Sequence, residues 1–85
     1  MKKETVTVNL TGAVGDRPIA MLVQVASKYE SRVYLETEKS HVNAKSIMGM
    51  MSLAPNTGDL LTIACDGIDE EDALAGVKMF LTGSN

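Results

Sequence analysis

At the start of the chain Val6, Val8 and Leu10 alternate with Thr5, Thr7 and Asn9. This period of two marks a strand with one apolar and one wet face. Gly12 to Gly15 reads as a loop. Beyond it, Asp16 is placed to accept the free N–H groups of a helix start, and Pro18 fits the first turn. Ile19, Leu22, Val23 and Ala26 then recur at helical spacing, which predicts a helix of about three turns ending near Lys28. The stretch SRVYLETEKSHVNA predicts two short strands, with Val33 and Leu35 on one face and Tyr34 on the other, reversing through TEKS. Ser46 is a good N-cap for a short helix that Pro55 and the PNTGD turn terminate. Leu60 to Cys65 predicts a fourth strand. Asp69 then precedes EEDALAGVKMFL, in which Leu74, Val77 and Leu81 share a face, acids crowd the first turn, Gly76 weakens the helix slightly and Gly83 can end it.

The predicted order is βαββαβα. Amphipathic helices beside antiparallel strands must cover one sheet face, so the expected class is α+β: a two-layer, open-faced β-sandwich with a four-stranded antiparallel sheet under three helices. The threonines of the first strand are left on the wet face. Residues 1–85 are read as one domain, since chains divide only well above this length. No repeat, linker or low-complexity segment interrupts them.

Charge narrows the function classes. A formal net charge of −3 argues against nucleic acid, whose binding needs a Lys/Arg surface that displaces counterions. No apolar run approaches the ~20 residues of a membrane span, and MKK is followed by the alternating ETVTVNL, not by a continuous apolar signal segment. The expected compartment is the cytoplasm. Cys65 is the one cysteine; it cannot form an internal disulfide and is read as a small buried apolar residue. His41 is the one histidine and is read as an exposed strand residue. One His and one Cys without ligand spacing predict no metal site, and TGAVGD lacks the lysine of a phosphate-binding loop. The acids from Asp69 to Asp72 are read as complementing a helix N-terminus.

The informative segment is NAKSIMGMMSLAP, residues 43–55. A helix start offers free N–H groups and partial positive charge, so a phosphate on an N-cap serine at Ser46 is tolerated without unfolding the helix. A two-turn helix has one buried stripe. If Met50 and Leu53 face inward, then Ile47, Met48 and Met51 cannot all follow them, and part of that set is expected at the surface. Adaptable methionines at a surface favour a binding patch.

On these residues the chain resembles the HPr family, the small phosphocarriers of the bacterial phosphotransferase system, over nearly its whole length. VNAKSIMGMMSLA is similar to the family's regulatory serine segment almost residue for residue, and DRPIA with its apolar helix matches the other signature more loosely. In the family that second signature carries the histidine that takes phosphate from the PEP-dependent enzyme I; the matching position is Gly15. The resemblance therefore implies that the carrier reaction is lost, since glycine has no side chain to phosphorylate. Asp16 stands where the family usually has a small apolar residue, and its carboxylate would oppose a phosphate there. A retained serine segment without the histidine is similar to the Crh branch, which keeps only the regulatory role, although that branch has Gln where Gly15 stands.

The resemblance further implies that HPr kinase/phosphorylase modifies Ser46 and that the product binds a CcpA-like transcriptional regulator as corepressor. Arg17 would supply a charged contact, and Ile47, Met48 and Met51 would form the apolar patch, leaving Met50 and Leu53 to the core. No cofactor is implied. Two alternatives stay open: phosphotransfer through another residue, for which His41 is the one histidine available, and an interaction module of the same fold with a different partner.

Overall fold

The structure is a computed structural model, and it describes residues 1–9, 18–53 and 56–83. Its elements run β1 (Lys2–Thr7), α1 (Pro18–Ser27), β2 (Arg32–Glu36), β3 (His41–Asn43), α2 (Ile47–Leu53), β4 (Leu60–Asp66) and α3 (Glu70–Thr82). The strands form one antiparallel sheet in the order β1-β4-β2-β3, so the order and the α+β class agree with the sequence reading. Leu10, expected at the end of the first strand, lies outside the described residues. Val8 follows the strand's end; its N–H donates to Asp59 O at 2.8 Å and its carbonyl accepts the Gly58 N–H at 2.8 Å.

Register sorts the side chains. Val6 pairs with Leu61, Leu35 with Ile63 and Val33 with Cys65, so these residues share one face and are all buried. The helices close over that face: Leu22 and Ala26 of α1, Met50 of α2 and Ala73, Val77 and Leu81 of α3 join the strand residues in one core. Alternation puts Thr5, Thr62, Tyr34 and His41 on the other face, where the hydroxyls of Thr5 and Thr62 share a 2.8 Å hydrogen bond. The hairpin turn is held by Thr37, whose Oγ1 accepts the N–H groups of Lys39 and Ser40 at 3.2 and 3.0 Å.

Two positions depart from expectation in the way α3 is seated. Asp69 was expected to complement the start of its own helix, yet its side chain makes no capping bond. Its carboxylate instead reaches across to the turn between α1 and β2, where Oδ2 accepts Glu30 N–H at 2.9 Å and Oδ1 accepts both the Ser31 N–H, at 2.9 Å, and the Ser31 hydroxyl. Ser31 is buried, so a charged acceptor satisfies a hydroxyl that would otherwise be costly inside. Close backbone approach makes this possible: a Cβ on Gly67 would lie 2.6 Å from Ser31 Cα. Gly76, expected only to weaken α3, is the surface on which Tyr29 packs, and a Cβ there would collide with the Tyr29 hydroxyl. At the far end Gly83 terminates the helix with φ of 70°, as the sequence predicts.

Candidate functional site

The residues around Ser46 sit at the junction of β3 and α2, next to α1, against which α2 packs. The chain leaves β3 at Asn43, whose Oδ1 accepts the Lys45 N–H at 2.8 Å while its carbonyl accepts the Ser46 N–H at 3.0 Å. This closed turn aims Ser46 at the helix. Its Oγ accepts the Gly49 N–H at 3.2 Å and its carbonyl accepts the Met50 N–H at 3.0 Å, which is the N-cap arrangement expected from the spacing. The hydroxyl is half-buried. Gly49 presents no side chain to it; a Cβ there would sit 3.6 Å from the Ser46 oxygen.

The sequence of α2, IMGMMSL, contains no charged residue. Its one buried side chain is Met50, with none of its surface exposed. Ile47, Met48 and Met51 are 45%, 76% and 64% exposed. Residues three and four apart lie on one helix face, so the three form a continuous apolar patch beginning one residue after Ser46. Leu53, assigned to the core from sequence, is half-buried and packs against the core cluster. It sits at the helix's last turn, where it also lines a groove of about 380 Å³ with Thr37, Lys39 and Leu60.

Lys45 is a residue that sequence reasoning passed over. Its Nζ donates to the carbonyl of Tyr29 at 2.6 Å, just past the end of α1. The cation next to Ser46 in the chain is thereby committed to tying the β3–α2 turn to α1. Hydrophobic periodicity carries no signal for such a bond, because it joins residues far apart in the chain.

The other chemically capable side chains stand apart from this site. His41 lies on the open face of the sheet, with Nε2 3.6 Å from Glu36 Oε2 and its ring edge-on to Tyr34 at 4.6 Å between centroids. The described helices pack on the opposite face, so among the described residues no helix start is offered to a phosphate on His41. Cys65 is buried in the core; burial, reinforced by the charges of Asp69 and Glu70, pushes its thiol up to about 11. Gly15, Asp16 and Arg17 lie outside the described residues, which resume at Pro18. Among the described residues no three His, Cys, Asp or Glu side chains are grouped to hold a metal ion, and no helix is long and apolar enough to cross a membrane.

Comparison with known proteins covers nearly the whole chain. The family model described as the PTS HPr component phosphorylation site matches residues 2–82. The HPr-like protein Crh of Bacillus subtilis is 46% identical over 81 residues, covering 95% of this chain and 95% of Crh. The HPr-like protein Crh of Halalkalibacterium halodurans is 38% identical over 81 residues, with 95% and 96% covered. Among solved structures, the phosphocarrier protein HPr from Bacillus anthracis superposes with a TM-score of 0.87 at 38% identity, covering 95% of this chain and 96% of that one.

Proposed function

This chain belongs to the HPr family of the phosphotransferase system, whose members are phosphocarriers or regulators and not catalysts, and from that premise we propose that it is a regulator switched by a phosphate on Ser46. The phosphate comes from ATP through HPr kinase/phosphorylase. The phosphorylated chain then binds a CcpA-like regulator as its corepressor. The observation that carries the reading is the pairing of an N-cap hydroxyl at Ser46 with an uncovered apolar patch, Ile47, Met48 and Met51, on the same short helix.

A phosphate ester adds a charge of roughly −1.5 to −2 at pH 7 to a helix that carries none. Its oxygens can take the helix-start N–H groups, Gly49 N–H among them, so the fold stays as it is. The signal is therefore surface charge beside an apolar patch, and a partner reads it by bringing cations to the phosphate while covering Ile47, Met48 and Met51. Arg17 meets an acid of that partner. Gly15 leaves no side chain to carry phosphate from enzyme I, and Asp16 opposes an anion at the same place.

The direct test is intact mass after incubation with ATP and HPr kinase: the chain gains one phosphate and Ser46→Ala gains none. Equal labelling of Ser46→Ala would move the modification elsewhere and sink the reading. With PEP and enzyme I the chain takes up no acid-labile phosphate. Stoichiometric labelling that disappears in His41→Ala would establish the phosphotransfer alternative instead. Gly15→His alone recovers little transfer, and adding Asp16→Ala recovers more; equal activity of the two variants removes Asp16 from the argument.

A further inference from the structure

Two of the three residues in the patch beside Ser46 are methionines. Three of the chain's six methionines lie in α2, and they divide sharply by position: Met48 and Met51 are 76% and 64% exposed, whereas Met50 between them is fully buried. A leucine or isoleucine patch has fixed polarity. A methionine patch does not, because a two-electron oxidation turns a flexible apolar side chain into a polar one, and dedicated reductases reverse it. Resting on the docking role argued above, we propose that Met48 and Met51 are modification sites at which a hydroperoxide uncouples the Ser46 phosphate from its reader.

In the step itself a thioether lone pair attacks one oxygen of hydrogen peroxide. The S–O bond forms as the O–O bond breaks, sulfur loses two electrons, and the departing hydroxide takes up the proton of the transferred oxygen to leave as water. The products are one sulfoxide and one water per methionine. Each sulfoxide places a strong acceptor, with no donor opposite it, where the partner presents apolar surface, and burial of an unpaired polar group opposes binding. The fold is spared for a geometric reason. Met50, the methionine on which the core depends, has no exposed surface for the oxidant to reach, and Cys65 is buried as well. Modification is confined to the surface, so the sulfoxides change docking and leave the phosphate in place.

The experiment uses the Ser46-phosphorylated chain, hydrogen peroxide as oxidant and a CcpA regulator from a Gram-positive bacterium as the binding probe. Peptide mass mapping should show Met48 and Met51 converted well before Met50. Circular dichroism and melting should be unchanged at that point, while affinity for the regulator falls by about tenfold or more, as expected of unpaired polar groups in an interface. Methionine sulfoxide reductase should restore it. The other exposed methionines, Met1, Met21 and Met79, oxidise too, so the double variant Met48→Leu/Met51→Leu assigns the effect: whatever its own starting affinity, peroxide should leave that affinity unchanged. Oxidised chain that binds as tightly as untreated chain, or a leucine variant that loses as much on oxidation, overturns the proposal alone. Untreated phosphorylated chain that does not bind the regulator overturns the docking reading, and this inference with it.

Discussion

Truncating the three methionines of α2 one at a time separates core from docking surface within a single helix. Met50 is fully buried among the core residues, so Met50→Ala leaves a cavity beneath α2 and costs ~2 to 5 kcal/mol, as large-to-small core changes do. In a chain of this size each kcal/mol moves the melting temperature by roughly 4–8 °C, so Met50→Ala should melt at least about 8 °C below the parent. Met48 is 76% and Met51 64% exposed; most of each side chain is already in water, and Met48→Ala and Met51→Ala should stay within about 0.5 kcal/mol of the parent. Leu53→Ala should fall between the two, because Leu53 is half-buried at the helix end. Binding reverses the order. Against a CcpA-like partner, Met48→Ala and Met51→Ala on the Ser46-phosphorylated chain should each cost ~1 to 2 kcal/mol. Differential scanning calorimetry and titration of the partner measure both quantities. If Met48→Ala and Met51→Ala melted as early as Met50→Ala, the three methionines would be equivalent core residues, and the docking surface would have to be sought elsewhere.

The carboxylate of Asp69 is held below its ordinary value of 3.8 by the Ser31 hydroxyl first and the Glu30 N–H next, and that of Glu70 is lowered chiefly by the Gly67 N–H. A depressed folded-state pKa contributes stability that is complete above the unfolded value and lost as pH falls through the folded one. Asp69→Asn should therefore lower the urea midpoint at neutral pH and converge on the parent in acid; parallel curves across the whole range would deny Asp69 this role. Gly76→Ala should gain about 1 kcal/mol by helix propensity alone. Because the added methyl meets the Tyr29 hydroxyl, it should instead lose ~1 to 3 kcal/mol, as overpacking does, and lose less in a Tyr29→Phe background. A raised melting temperature for Gly76→Ala would show that Tyr29 yields freely. Cys65, buried with its thiol pushed up to about 11, should resist a disulfide reagent at mildly alkaline pH until the chain unfolds; rapid labelling of the native protein would contradict its place in the core.

By itself the sequence determined the elements and their facing. Alternation at Val6 and Val8, helical spacing from Ile19 to Ala26, the serine before IMGMM and the glycine after MFLT are local signals, each read within a few residues. They suffice because backbone geometry repeats every two or 3.6 residues. Sequence also fixed the absence of a side chain at Gly15. What only the tertiary structure decided are the contacts between distant residues. The β1-β4-β2-β3 order seats the last strand between the first and the second, which no local period encodes. Asp69 reads as a helix cap until the α1–β2 turn comes within reach with a buried hydroxyl at Ser31, a stronger claim on the carboxylate than its own helix start. Lys45 reads as a solvated charge until the Tyr29 carbonyl lies 2.6 Å away. Gly76 reads as a weak point until Tyr29 packs against it. In each case the residue type permits several partners, and the folded chain selects one by bringing it within hydrogen-bonding or packing distance.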